Sequence, residues 1–258
     1  MLTHAHSLHR RLTQRALCGS ATRLTCAGVA ISALAGCWST VSSEDVRNAD
    51  LRADIIVSND GFFSTSAYAT LREGTEDSTA YIELSGEDRI FTVHDTQDVQ
   101  MEKSDFLGIV NYYASVETPV ENAVVEVRFE RVVDMSPLIS RATLPTSFTL
   151  LEPISSHRQS RSDDLAISWT PEGAEEEMLL RLSGTCITTF EESVDDARGA
   201  FTLEGGTLEP ADTETPNEAC DVTVTLERSR PGTLADGFGQ GGRVDAKQTR
   251  ASYITLDP

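Results

Sequence analysis

The chain has 258 residues, with 41 acidic against 21 basic side chains and a formal net charge of −20. That balance excludes a protein that works by neutralising nucleic-acid phosphates, which requires clustered Lys and Arg. No stretch reaches the roughly 18 apolar residues of a membrane-spanning helix, while 39% hydrophobic and 24% charged residues describe a globular chain rather than a disordered acidic one.

The first 36 residues hold Arg10, Arg11, Arg15 and Arg23 and no acidic residue, and Leu24–Gly36 is apolar and small. A basic start, an apolar run and small residues at its end are the layout of a secretory signal peptide, so residues 1–36 are expected to be removed. Leu34-Ala35-Gly36-Cys37 resembles the lipobox of bacterial lipoproteins, a Leu and two small residues before an obligatory Cys. The resemblance implies cleavage between Gly36 and Cys37, a diacylglyceryl thioether on the Cys37 sulfur and an acyl chain such as palmitate on its new amino group. Several acyl chains anchor stably where one is marginal. The rival is ordinary cleavage after Ala35, since Ala33-Leu34-Ala35 also reads as A-x-A; it would leave Cys37 as a stray thiol.

Cysteine parity separates the two. Cys18 and Cys26 leave with the signal in either case. Lipidation of Cys37 then leaves Cys186 and Cys220 as an even pair in an oxidising compartment, where a structural disulfide is expected. In enteric-type bacteria an Asp after the lipidated Cys retains a lipoprotein at the inner membrane. Trp38 in that position leans the expected location towards the outer membrane. The mature part keeps 17 of the 21 basic residues and every acidic one, a net of −24 over residues 37–258. Such a surface is solubilising and self-repelling.

Residues 37–50 are polar and Ser-rich and read as the lipidated Cys followed by a flexible tether. Strand-like runs follow at Asp54–Val57, Ser66–Arg72, Ala80–Leu84, Arg89–His94, Ile109–Val116 and Ala123–Phe129, with turn residues such as Asn59-Asp60-Gly61 between them. Ser136-Pro137 and Leu144-Pro145 bracket a linker at 137–146. Beyond it Leu165, Ile167 and Trp169 alternate with smaller or polar residues up to Pro171, and Met178, Leu180 and Leu182 follow. Val222, Val224 and Leu226 form another inward face, and a strand near Ala251–Leu256 closes the chain. The fold expected is all-β: two tandem sandwiches at 51–136 and 147–258, the second holding the disulfide.

Leu165-Ala-Ile-Ser-Trp-Thr-Pro171 resembles the second strand of fibronectin type III domains, with a buried Trp after two apolar positions and a Pro at its end. The resemblance implies an immunoglobulin-like sandwich. The Val222–Leu226 strand departs from it in lacking a Tyr corner, and the Cys pair is a second departure. Lipobox, spacer and two β-sandwiches together are similar to surface lipoproteins of Gram-negative bacteria, and that similarity implies no activity.

Candidate chemistry is sparse. His94 and His157 are the only histidines of the mature chain, some sixty residues apart, and both read as exposed. No G-x-S-x-G, S-x-x-K or H-E-x-x-H spacing is present. Gly237-Phe-Gly239-Gln-Gly-Gly242 matches G-x-G-x-x-G but lacks the helix a dinucleotide site requires, so it reads as a turn whose glycines supply positive φ. The acidic runs Glu175-Glu176-Glu177 and Asp195-Asp196 read as solvated turns. No catalytic residue, cofactor or metal ligand is therefore assigned. A non-catalytic, membrane-anchored lipoprotein is expected, binding an envelope or extracellular protein partner and no nucleic acid. A carbohydrate-active or other hydrolytic module, and a structural subunit of an envelope assembly, are the alternatives.

Overall fold

A computed structural model describes residues 39–258 except 75–77, 79, 135, 173–175 and 212–218. The signal segment 1–36 and Cys37 lie outside the described residues, so cleavage and lipidation find no structural counterpart. Alternating apolar residues build the strands, and among the described residues the other regular elements are three short 3-10 turns. The first sandwich contains β1 (Ser39–Ser42), β2 (Leu51–Asn59), β3 (Ser64–Glu73), β4 (Ala80–Glu83) and β5 (Arg89–His94). It continues with β6 (Gln97–Gln100), β7 (Glu102–Phe106), β8 (Ile109–Glu117), β9 (Val124–Glu130) and β10 (Leu138–Thr143). The second contains β11 (Thr149–Glu152), β12 (Arg158–Ser160), β13 (Leu165–Thr170), β14 (Glu177–Gly184), β15 (Ile187–Val194) and β16 (Ala200–Leu203). Two long strands, β17 (Cys220–Pro231) and β18 (Arg243–Asp257), close the chain.

In the first sandwich the β7-β8-β3-β2-β18 layer faces a β10-β9-β5-β6 layer. Leu51, Ile55, Leu71 and Val110 from one layer pack with Ile90, Val125 and Phe129 from the other. In the second, β11-β13-β16 faces β15-β14-β17-β18, with β12 parallel to the end of β18. Here Trp169 and Ile167 pack on Leu180, Leu182, Val224 and Ile254. Two such facing sheets around one core make an immunoglobulin-like sandwich, and in the second the first edge is split, β11 joining β13 and β12 joining β18. The Cys186–Cys220 disulfide ties the β14–β15 turn to the start of β17. Closing that 34-residue separation stabilises the fold by roughly 3–4 kcal/mol on the chain-entropy model.

β18 belongs to both cores. Its first half pairs in parallel with β2, Arg243 opposite Asp54 through Gln248 opposite Asn59. From Asp245 opposite Pro231 to Leu256 opposite Cys220 it pairs antiparallel with β17. Val244 and Ala246 enter the first core, Ile254 and Leu256 the second.

Two segments expected to lie outside the sandwiches, the flexible tether and the linker, belong to the first one. β1 of the expected tether pairs in parallel with β4, Val46 is in the core, and Ser43 is buried. Polarity there reflects hydrogen bonding instead of solvation: Arg131 donates to the Ser43 carbonyl and to Asn48 Oδ1, and Asn48 donates to Asp134. The expected linker contains β10, which pairs with β9 from Leu138 opposite Phe129 to Thr143 opposite Val124. Its flanking prolines stand outside the strand, where no ladder donor is needed.

Candidate functional site

Crossing from one core to the other requires the inward faces of β17 and β18 to meet polar backbone, and their side chains change accordingly. The inward face of β17 runs Val222, Val224, Leu226 and then Arg228. That of β18 runs Val244, Ala246, then Gln248, Arg250 and Ser252, then Ile254 and Leu256. The polar positions hold the connecting segment 144–148 by its carbonyls. Arg230 donates to the Leu144 carbonyl (3.2 Å), Gln248 to that of Pro145 (3.3 Å), Arg228 to that of Thr146 (2.9 Å) and Arg250 to that of Phe148 (2.8 Å). Both Arg228 and Arg250 also lie over the Phe148 ring, 4.9 and 5.1 Å from its centroid. A junction held this way is a rigid splice rather than a hinge.

Arg228 is wholly buried and needs a counter-charge. Asp196 provides it, with Oδ1 accepting from Nη2 at 2.7 Å and Oδ2 standing 2.6 Å from Nε. Asp196 Oδ1 also accepts from the indole of Trp169 at 2.7 Å. The Asp195-Asp196 run expected as a solvated turn is thus half buried. Asp196 forms the ion pair, while Asp195 caps the following 3-10 turn by accepting from the Ala197 amide. Glu176 of the other run meets Arg230 at 2.6 Å with its side chain nearly buried. The only sequence signal for these roles was Arg228 and Arg230 continuing an otherwise apolar strand phase.

The histidines are not brought together. His94 ends β5 but is buried, not exposed as expected, because its Nδ1 meets the Val124 carbonyl at 2.8 Å across the sandwich end. His157, in the second sandwich, bonds Gln159 at 3.0 Å. Among the described residues no group of three His, Cys, Asp or Glu side chains could hold a metal ion. The G-x-G-x-x-G segment lies in the loop before β18. Positive φ is needed at Gly241 (+85°), whereas Gly239 and Gly242 are there for close approach, since a Cβ on either would stand 2.6 Å from a backbone oxygen of Ala49 or Ala53.

Two surface features remain. A cleft of about 590 Å³ opens beside β7, with Glu83, Asp88, Arg89, Glu102, Lys103 and Tyr112 among its lining. Lys103 and Glu83 pair across it at 2.5 Å. The Tyr112 hydroxyl donates to the Ile82 carbonyl (3.1 Å) and accepts from the Leu84 amide (2.8 Å), and burial pushes its pKa up to about 12. The second feature is aromatic. At the β2–β3 turn Phe62 is 68% and Phe63 77% exposed. Phe62 and Tyr68 line a groove of about 300 Å³ that runs to Thr249 of β18. Tyr68 stands directly opposite Tyr113 on β8, and both are exposed. Tyr113 donates to Glu102 Oε2 at 2.8 Å, a bond that raises its pKa. Exposed aromatic side chains on a rigid sheet suit association better than turnover.

No family model matches the chain, and no curated protein matches it. Solved structures that it resembles include the Dpr11 IG1 complex with DIP-gamma IG+IG2, at 6% identity over 80% of this chain and 98% of that one, TM-score 0.23. The adhesin InvE of Yersinia pseudotuberculosis is similar at 10% identity over 81% of this chain and 61% of that one, TM-score 0.22. The titin domains z1z2, solved with telethonin, are similar at 10% over 82% and 94%, TM-score 0.22. Likeness at these scores carries no argument; the sandwich assignment rests on the strand order.

Proposed function

We propose that this chain is a non-catalytic binding module of the bacterial envelope, anchored through lipid on Cys37 and binding a protein partner through exposed aromatic side chains. The observation that carries it is how the side chains are used. Several groups that a hydrolase could use are engaged in the fold: His94 on a backbone carbonyl, Asp88 on Arg131, Asp196 on Arg228 and Trp169. Phe62, Phe63, Tyr68 and Tyr113 are instead left in solvent on a frame the junction keeps rigid. The lipobox Leu34–Cys37 and Trp38 support an outer-membrane location.

The test is co-purification from native envelopes with the intact chain and with Phe62→Ala/Phe63→Ala. A partner protein retained by the first and lost by the second is the expected result. Equal recovery with both chains, or turnover of a substrate by the purified protein, would overturn the proposal.

A further inference from the structure

The start of β1 lies close in sequence to the proposed anchor, which constrains how the first sandwich meets a membrane. Ser39, the first residue of β1, is only two residues beyond Cys37, so a fully extended backbone places the two Cα atoms at most about 7 Å apart. An anchor on Cys37 therefore leaves the first sandwich almost no tether.

Strand register shows what else is present at that end. Tyr112 of β8 is opposite Ala69 of β3, and Tyr81 of β4 is opposite Arg72. Moving the same distance along each strand puts Arg72, Tyr81 and Ile109 at one height, and Phe106 of β7 is paired with Ile109. Ser39, opposite Ala80, is one residue further out. The β7–β8 turn thus projects level with the start of β1. Its residues Phe106 and Leu107 are 71% and 76% exposed. The exposed Val132 and Val133 follow Arg131, whose guanidinium is bonded to Ser43 just after β1. β18 leaves in the opposite direction, from Arg243 opposite Asp54 to Gln248 opposite Asn59, and carries the second sandwich away.

We propose that the first sandwich is seated directly on the lipid bilayer, with Phe106 and Leu107 in its interfacial layer beside the lipidated Cys37 and the second sandwich pointing outward. This rests on the lipid anchor of the preceding subsection. The occupant is lipid because the apolar turn is level with the start of β1, a strand separated from the anchor by a single Trp in the sequence, and Trp favours the membrane interface. Apolar side chains beside covalent lipid add buried apolar area to an anchor that several acyl chains already make stable. The aromatic groove near Thr249 then faces away from the bilayer, at the opposite end of β2 and β3.

The test uses the full chain, expressed with its own leader, carrying p-benzoylphenylalanine at position 107 or at position 62 and irradiated in the membrane. Lipid adducts several-fold more abundant at position 107 than at 62 are expected. Equal yields, or adducts at 107 only to protein (including a second copy), would overturn the seating. The acyl content of Cys37 is read on the same samples. Acylated Cys37 without lipid adducts at 107 removes the seating and leaves the anchor standing, whereas unmodified Cys37 removes both.

Discussion

Arg250 donates from Nε to the carbonyl of Phe148 at 2.8 Å and lays its guanidinium over the ring of the same residue. Its Nη2 also reaches Ser147 Oγ at 3.0 Å and Gln248 Oε1 at 3.1 Å. One side chain from the strand shared by both cores thus holds the backbone that connects them. Burial lowers the Arg250 pKa, yet a guanidinium stays charged, and its bonds to neutral acceptors offset part of that cost.

Arg250→Leu should lower unfolding stability by about 2 kcal/mol, the scale of a lost hydrogen-bond set to a charged group. Urea denaturation checks the loss, and limited proteolysis should find new cleavage at 144–148. An unchanged midpoint would mean the junction is held by packing alone.

The Arg228–Asp196 pair should behave as a buried ion pair. Asp196→Ala leaves a guanidinium without its counter-charge and should cost about 3–5 kcal/mol, while Asp196→Leu/Arg228→Leu together should cost less than the two single changes summed. A double-mutant cycle by chemical denaturation measures the coupling.

Much of this architecture was legible in the residues, because a strand shows its phase wherever one face is apolar. β5 has the bounds expected for it, Arg89–His94, and β9 alternates as its valines require. What was hidden shares one cause: polar residues whose partners are distant in sequence. Ser43 and Asn48 gave a tether because nothing nearby reveals Arg131, 83 or more positions away. Asp196 read as solvated because its partners lie 27 and 32 residues off. β10 read as a linker because prolines mark turns in a one-dimensional pattern, whereas its pairing to β9 is a property of the sheet. The exposed Phe62 and Phe63 were visible as letters, but only the turn geometry leaves them in solvent.

Cys186→Ser/Cys220→Ser should lower stability by roughly 3–4 kcal/mol through loss of the constraint on the unfolded chain. The measurable effect is a lower melting temperature without loss of β signal by circular dichroism at low temperature.

Tyr112 should titrate late. Its folded pKa is raised to about 12 by burial, against about 10 in an unfolded chain. The folded state therefore holds a proton the unfolded state releases. This stabilising contribution is complete below pH about 10 and lost as pH rises towards about 12. Tyrosinate absorbance should show the delayed step coincide with unfolding, and Tyr112→Phe should remove it.

Anchoring at Cys37 is the central claim, and a non-reducing intact mass of the protein purified from its native membrane tests it most directly. The expected mass is that of Cys37–Pro258 plus its acyl chains, less two hydrogens for the Cys186–Cys220 disulfide. A mass beginning at Gly36 and carrying no lipid would contradict the anchor and describe a soluble secreted protein with a free thiol.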